Sequence, residues 1–302
     1  MKKILVMAAA VVLLASCGSN YQKTPSGLLY KIVSKGKGPE VKRGEFLKVH
    51  YSQKVNDSVV ISSFDNGLPA YPRVDSVGPV YNVLEILPGM NEGDSAVVVE
   101  LADTLEKRGM LPPYMKHGDK RTWTIKAVKI LKDQEAMQAD LKKELEEYQV
   151  KQKKIFESFV ANKPSLQKTV NGVYVDIKEQ GKGMRADSGK LVSVRYKGKF
   201  MPSEKVFETN MDDPNKPPLQ FPLGFREVIP GWEEAFKLLN AGAKVTMYVP
   251  YQLAYNDQAG PGGIPYQNLI FDIELLDVKD APPQNAMQPP MGPMMDTARP
   301  RK

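Results

Sequence analysis

The sequence predicts an α+β protein in which a long amphipathic helix joins two copies of a strand-rich domain. The first observation is an internal repeat: residues 27–51 recur as residues 172–196, at an offset of 145 residues and without a gap. Both copies begin with alternating apolar and polar residues, which is the period of a half-buried strand. Between the copies, residues 133–162 contain no glycine or proline and many charged residues. A repeat this long indicates duplication of a whole domain, since solenoid repeats span roughly 20–50 residues.

Two strands open each predicted domain. Alternation predicts strands at Leu29–Val33 and Phe46–Val55 in the first copy, and at Val173–Ile177 and Leu191–Phe200 in the second. We therefore place a first domain at residues 27–132 and a second at residues 165–280. A length of 302 residues is consistent with two domains.

Composition excludes several kinds of site. With one cysteine and two histidines, the chain cannot form an intramolecular disulfide or a cysteine- or histidine-rich metal centre. We expect no metal and no cofactor. The formal charge of +7 comes from acidic and basic residues that are interleaved along most of the chain. Because a nucleic-acid surface concentrates its basic residues, we expect no nucleic-acid partner.

Residues 1–16 are predicted to be a signal peptide. Lys2 and Lys3 precede an unbroken apolar run from Ile4 to Ala15, which is too short to span a bilayer of roughly 30 Å as a helix. The run ends in Leu14-Ala15-Ser16-Cys17, which resembles the lipobox of bacterial lipoproteins. The alternative is an ordinary secretory signal with a chance cysteine.

The lipobox resemblance implies that cleavage precedes Cys17 and that its sulfur is lipidated. Residues 17–26 would then be a lipidated tether to the membrane. No acidic cluster, which resembles a surface-export signal in some Gram-negative bacteria, follows Cys17. We therefore expect a lipid-anchored envelope protein at the outer membrane, facing the periplasm.

Residues 133–164 are predicted to form a helical linker. Apolar residues form one stripe, interrupted by Gln152, at Met137, Leu141, Leu145, Tyr148, Ile155 and Phe159. Pro164 is expected to end the helix. The helix either packs on the chain's own domains or forms a coiled coil that makes a homodimer. Residues 281–302, rich in proline and methionine, read as a disordered tail, with a docking segment as the alternative.

The second copy contains five short motifs in order. They are Val194-Arg195-Tyr196-Lys197-Gly198, Val206-Phe207-Glu208-Thr209, Leu219-Gln220-Phe221-Pro222, Val228-Ile229-Pro230-Gly231-Trp232-Glu233-Glu234 and Leu253-Ala254-Tyr255. Over about residues 172–278 this order resembles the FK506-binding-protein (FKBP) type of peptidyl-prolyl cis-trans isomerase. The resemblance implies a twisted antiparallel sheet wrapped around one short helix, here at about Trp232–Leu239, and an aromatic pocket with a tryptophan floor.

The resemblance also implies site residues. The expected catalytic residues are Tyr196, Phe207, Glu208, Ile229, Tyr255 and Phe271, and the expected substrate-binding residues are Phe221, Val228, Trp232 and Ile264. Ile229 would supply a backbone N–H and Tyr255 a hydroxyl to substrate carbonyls. Taken without the resemblance, each of these aromatic residues is expected in a core.

The first copy resembles the same fold in a degenerate form. Met90 stands near the position of the floor tryptophan, and the helix-forming stretch after Pro88-Gly89 is missing, so the apolar run Tyr81–Leu87 would supply the helix. Residues 96–101 and a segment that begins at Asp119 are predicted strands.

Three functions follow as hypotheses. The first is an isomerase that acts on X-Pro bonds of unfolded, exported polypeptides. The second is a non-catalytic chaperone or peptide-binding lipoprotein that uses the same groove. It is favoured by Glu208, where the family usually has aspartate, and by a 256–267 loop about one residue shorter than usual. The third is a structural lipoprotein in an envelope assembly.

Overall fold

A computed structural model describes residues 20–64, 67–75, 80–163 and 165–281. The chain divides into two compact units, residues 1–142 and 143–302. The predicted signal peptide, Cys17 and the predicted tail beyond residue 281 lie outside the described residues. None of the described helices is both long and apolar enough to cross a membrane.

In its described part, the first unit forms an antiparallel sheet of six strands in the order β1-β2-β5-β6-β3-β4. The strands are β1 (Gln22–Lys23), β2 (Leu29–Ser34), β3 (Phe46–Val55), β4 (Ser58–Ser62), β5 (Ser95–Leu101) and β6 (Lys120–Leu131). The predicted bounds of β3 are confirmed, and β2 extends one residue beyond its prediction. A 3₁₀ turn, Val83–Ile86, lies inside the predicted helical run, and helix α1 (Ala102–Lys107) follows β5 directly.

The core of the first unit lies on one face of this sheet. Alternate residues of β5, Ala96 and Val98, are fully buried there, as the two-residue period of a strand requires. Met90, predicted to replace the floor tryptophan, is fully buried in the same core. A buried methionine fills this part of the core with a flexible side chain.

The second unit forms a sheet in the order β10-β9-β13-β12-β8-β7, with β11 also paired to β9. Its strands are β7 (Gln167–Lys168), β8 (Tyr174–Glu179), β9 (Lys190–Phe200), β10 (Val206–Thr209), β11 (Leu219–Pro222), β12 (Lys244–Val249) and β13 (Leu269–Asp280). The short helix α3 (Pro230–Ala235) continues as a 3₁₀ turn, Phe236–Leu238. Its Trp232 and Phe236 share one core with Val194 and Phe271 of the sheet. The prediction of an α+β fold with antiparallel sheets is confirmed.

The repeat begins earlier than the predicted boundary at residue 27. Gln22-Lys23 forms β1 and pairs with β2, and Gln167-Lys168 forms β7 and pairs with β8, at the same offset of 145 residues. In both copies the next threonine closes the turn, because Thr24 Oγ1 accepts from Leu28 N (3.2 Å) and Thr169 Oγ1 from Val173 N (3.0 Å). Part of the predicted tether therefore belongs to the first sheet.

Helix α2 spans Gln134–Ala161. Its buried residues are Tyr148, Gln152, Phe156 and Val160. Gln152 is thus a polar residue on the buried face, and the predicted stripe differs at Ile155 and Phe159, which are only half-buried. Phe156 and Val160 pack with a cluster in the second unit, and Ile155 and Phe159 are half-buried beside them. The buried face is thus occupied within the chain's own second unit. The homodimer through this helix stays a prediction.

Asp140, in the second turn of α2, attaches the N-terminal part of this helix to the sheet of the first unit. Its carboxylate accepts hydrogen bonds from Lys48 Nζ (2.8 Å), Lys129 Nζ (2.9 Å) and the Tyr71 hydroxyl (2.9 Å). Burial alone would raise the pKa of Asp140, but hydrogen bonds from Lys129, Lys48 and Tyr71 outweigh it and lower the pKa to about 2. The carboxylate therefore stays ionised at neutral pH.

Candidate active site

A cavity of about 580 Å³ opens in the second unit. Eight of the ten residues predicted for the site line it: Tyr196, Phe207, Glu208, Val228, Ile229, Trp232, Tyr255 and Phe271. They come from strands β9, β10 and β13, from helix α3 and from two loops, so the site exists only in the folded domain. A concave surface that combines aromatic side chains with polar groups is typical of a ligand-binding site.

Trp232 forms the base of the cavity. Its side chain is only 4% exposed, and its ring meets Phe271 edge-on at 5.1 Å and Tyr196 edge-on at 5.4 Å between ring centroids. Edge-to-face pairs of this kind stabilise the arrangement beyond the area they bury. The indole Nε1 is buried and has no hydrogen-bond partner among the described residues. The base therefore offers a rigid apolar face and one unsatisfied donor.

The wall opposite is built from Phe207, which lies over the backbone of β9. A Cβ atom on Gly198 would stand 2.5 Å from Phe207 Cζ, so only glycine at position 198 lets this ring approach. Phe207 then meets Phe271 edge-on at 6.0 Å. Gly198, the last residue of the first motif, is therefore required for Phe207 to form this wall.

Tyr196 and Glu208 form the polar edge of the cavity. The Tyr196 hydroxyl donates to the Glu208 carboxylate, and burial, then this hydrogen bond and the negative charge, hold the pKa of Tyr196 well above its ordinary value. Burial, and after it the Glu208 charge, also raise the pKa of Tyr255. Asn210 fixes β9 here, because its Oδ1 accepts from Tyr196 N at 2.7 Å. Both phenols stay protonated at neutral pH; the Tyr196 O–H is used by Glu208, and the Tyr255 O–H is available as a hydrogen-bond donor.

Ile229 lies at the N-terminus of α3, with Pro230 as the first helical residue. Proline suits this position because its φ is preset and it lacks the N–H that a helix start leaves unpaired. The preceding loop is held by Glu233, which accepts from Gly224 N (2.7 Å) and Arg226 N (3.0 Å). No hydrogen bond within residues 165–281 uses the N–H of Ile229. The loop is therefore fixed while this donor stays free.

Tyr255 follows a 3₁₀ turn, Tyr251–Leu253, and is 37% exposed at the mouth of the cavity. A Cβ atom on Gly260 would stand 2.8 Å from Cδ2 of its ring, so glycine is needed for the ring to lie against this loop. Tyr251 N donates to Asn268 Oδ1 at 2.9 Å, which fixes the turn from below. Asn268 is fully buried.

Two predicted substrate-binding residues are not part of the cavity lining. Phe221 is 2% exposed and lies behind Trp232 at 5.7 Å, where it supports the base without reaching the surface. Ile264 is half-buried and lies outside the lining. The structure adds Gln252, Asp257 and Arg226 to the lining, and these polar loop residues carried no sequence pattern that could have singled them out.

No cluster of three metal-ligating side chains occurs among the described residues. The cavity contributes aromatic surface, phenol hydroxyls, backbone N–H groups and the carboxylates of Glu208, Glu227 and Asp257. Such a set can bind an apolar ring and hydrogen-bond the carbonyls beside it.

The comparisons with known proteins agree with this geometry. Residues 182–276 match the family model "FKBP-type peptidyl-prolyl cis-trans isomerase". The chain is 35% identical over 149 residues to FkpA of Escherichia coli K12, covering 49% of this chain and 53% of that protein. It is 36% identical over 127 residues to the probable FkpA of Neisseria meningitidis, covering 42% and 44%. The chain thus spans about half the length of these curated relatives.

Two solved structures are also similar to the chain. The crystal structure of Escherichia coli FkpA matches with 33% identity and a TM-score of 0.41, covering 49% of this chain and 70% of that chain. A peptidyl-prolyl cis-trans isomerase from Pseudomonas syringae matches with 30% identity and a TM-score of 0.39, covering 44% and 96%. The family match lies wholly within the second unit. This unit, with its aromatic cavity, therefore carries a domain of the FKBP-type peptidyl-prolyl cis-trans isomerase family.

Proposed function

We propose that the protein is a peptidyl-prolyl cis-trans isomerase that acts on X-Pro bonds of polypeptides through the cavity of its second unit. One observation carries the proposal: Trp232, Phe271 and Phe207 form an apolar recess, and hydrogen-bond donors lie at its edge. The FKBP-type family match over residues 182–276 supports it independently.

The chemistry needs no nucleophile. Amide resonance opposes rotation with a barrier of about 18–20 kcal/mol, and X-Pro isomers interconvert uncatalysed in tens to hundreds of seconds. The twisted amide has less resonance and is less dipolar than the planar one. An apolar recess that binds the proline ring therefore favours the transition state over the ground state, which is catalysis by differential binding.

Two donors are proposed to hold the substrate chain. The free N–H of Ile229 and the hydroxyl of Tyr255 lie on loops that the protein fixes separately. They would bind carbonyls on the two sides of the rotating bond, so that one flank stays fixed while the other turns. Tyr196 would stay protonated, and its hydrogen bond would hold the Glu208 carboxylate in place at the edge of the cavity.

The alternative is a domain that binds proline-containing chains without catalysis. Glu208 favours this alternative because its side chain is one methylene longer than the aspartate usual in the family. Its carboxylate is nevertheless paired with Tyr196. A carboxylate engaged in this way leaves the apolar recess open, which favours the isomerase.

The test is a protease-free measurement of cis-to-trans isomerisation of a short X-Pro peptide by the full chain. We expect a rate well above the uncatalysed one, and a loss of at least about tenfold in Phe207→Leu, which removes the aromatic wall. Peptide binding without any rate above the uncatalysed one would exclude the isomerase and leave the binding domain.

We further propose that the protein acts in the cell envelope on exported polypeptides, attached by a lipid on Cys17. The motif Leu14-Ala15-Ser16-Cys17 supports this proposal. Metabolic labelling with a palmitate analogue should mark the wild-type protein, and Cys17→Ala should abolish the label and release the protein from the membrane fraction. Equal labelling of both would exclude lipidation at Cys17.

A further inference from the structure

A second concavity of about 650 Å³ lies beside the cavity within the second unit. We call it the helix groove; its walls include Phe156 and Val160 of α2, Tyr174 of β8 and Leu253. The ring centroids of Phe156 and Tyr174 are 5.9 Å apart. The apolar wall of the helix groove is therefore aromatic, like that of the cavity. Ala161, at the C-terminal end of α2, forms part of the rim and is exposed.

The helix groove and the cavity share a residue. Gln252 lines both, and it belongs to the 3₁₀ turn that precedes Tyr255. Its side chain is exposed, and its carboxamide makes no hydrogen bond to any described residue. A carboxamide carries both donors and an acceptor, so it can bind the backbone of a peptide that passes over it.

The groove is preformed, because buried polar contacts fix its two sides to each other. Asn268 Nδ2 donates to Gln152 O (2.7 Å) and Gln152 Oε1 (3.0 Å), which ties α2 to the start of β13. The same Asn268 accepts from Tyr251 N, which ties in the turn that carries Gln252. Binding a chain here therefore requires little rearrangement of the protein, which reduces the cost of association.

We propose that the helix groove is an accessory subsite that binds an apolar side chain of the polypeptide substrate, several residues away from the proline in the cavity. This inference rests on the proposed isomerase function. Because Gln252 lines both concavities, a chain bound in the cavity can extend across this residue into the groove, and that chain is the occupant. The rim carries Lys153, Lys168 and Glu157, whose charges keep the flanks of the groove wet while its centre is apolar.

The consequence is a preference for long substrates. A tetrapeptide fills the cavity alone, whereas an extended peptide of about twelve residues, roughly 40 Å long, can cross Gln252 and reach the groove. Burial of one apolar side chain there should lower KM and leave kcat nearly unchanged, because the contact is the same in the ground and transition states.

The test compares three substrates with the full chain: an X-Pro tetrapeptide, the longer peptide with leucines flanking the tetrapeptide core, and the same peptide with serines in their place. We expect kcat/KM for the leucine peptide to exceed that for the serine peptide by about tenfold. Ala161→Trp fills the rim without disturbing a buried residue, and it should abolish this preference while the tetrapeptide rate stays unchanged. Ala139→Trp, an exposed alanine earlier on the same helix, should leave the preference intact.

Equal kcat/KM for the leucine and serine peptides in the wild type would overturn the subsite, and so would a preference that survives Ala161→Trp. In both cases the tetrapeptide would still be turned over and the proposed isomerase would stand. Failure to turn over the tetrapeptide itself would overturn the isomerase, and the subsite with it. Thermal unfolding of both tryptophan variants establishes that the comparison is between folded proteins.

Discussion

Asn268 and Gln152, 116 residues apart in sequence, form a buried pair in which the Asn268 carboxamide donates to both the backbone and the side-chain oxygen of Gln152. The two side chains are 0% and 1% exposed. A buried amide without a hydrogen-bond partner costs free energy, so each of the two side chains offsets the cost of burying the other. Through this pair helix α2 becomes part of the domain that holds the cavity.

Replacing Gln152 by leucine should destabilise the second unit. The substitution keeps the apolar volume but leaves buried amide hydrogens of Asn268 with one acceptor fewer, at a cost of roughly 2 kcal/mol. Urea unfolding should show the loss. Gln138→Leu, at an exposed position of the same helix, is the matched control and should change the free energy of unfolding little. Equal effects of the two variants would contradict the role of the pair.

A fragment that begins at residue 165 should be less stable than one that begins at residue 143. Only the longer fragment retains Phe156 and Val160, which cover Met201, Tyr248 and Ile270, and Tyr148, whose hydroxyl accepts from Gln267 Nε2 at 2.6 Å. Loss of these contacts exposes apolar area worth roughly 3 kcal/mol or more. The midpoints of urea unfolding of the two fragments measure the difference. Coincident midpoints would show that α2 contributes nothing to this unit.

Asp140→Asn should destabilise the first unit by roughly 2 kcal/mol at neutral pH. Because the folded-state pKa of Asp140 is lowered to about 2, below the ordinary value of 3.8, its ionised form stabilises the fold above pH 4. That contribution is lost as the pH falls from about 4 to about 2. The free energies of unfolding of the wild type and the variant should therefore approach each other as the pH is lowered through this range. A difference in the free energy of unfolding between wild type and variant that does not change with pH would contradict the lowered pKa of Asp140.

Glu208→Gln should make Tyr196 and Tyr255 easier to ionise. Burial comes first among the causes that raise both pKa values, and the Glu208 charge adds to it, so removing the charge lowers both while burial still acts. A phenol whose folded-state pKa is raised stabilises the fold below pH 10 and loses that contribution above it. Tyrosinate absorbance in an alkaline titration should rise at lower pH in the variant. Asp257→Asn, another carboxylate that lines the cavity, is the control and should change the titration less.

Local patterns in the sequence were sufficient for much of the fold and the aromatic part of the site. The alternation at Phe46–Val55 predicted β3 to the residue, and the motif around Trp232 predicted both the short helix and the base of the cavity. Each of these features depends on neighbours in sequence or on a run that resembles a known family.

Features that depend on distant partners were missed. Gln152 was predicted to interrupt an apolar stripe, but its buried hydrogen-bond partner Asn268 could not be predicted, because Asn268 belongs to a different part of the chain. Phe221 was predicted to contact substrate, but its position behind Trp232 depends on how β11 packs on α3. The start of the repeat at Gln22-Lys23-Thr24 could have been found, because the same three residues recur at Gln167-Lys168-Thr169.

The most direct test of the account is the exchange rate between cis and trans forms of an X-Pro peptide at equilibrium, measured by NMR with catalytic amounts of the full chain. Phe271→Leu keeps an apolar residue in the core but removes the ring that meets Trp232 and Phe207. Leu276→Ala, at an exposed position of the same strand, is its control. We predict fast exchange with the wild type and the control, and exchange at least about tenfold slower with Phe271→Leu. Exchange at the uncatalysed rate with the wild type, or an unchanged rate with a folded Phe271→Leu, would contradict catalysis by this cavity.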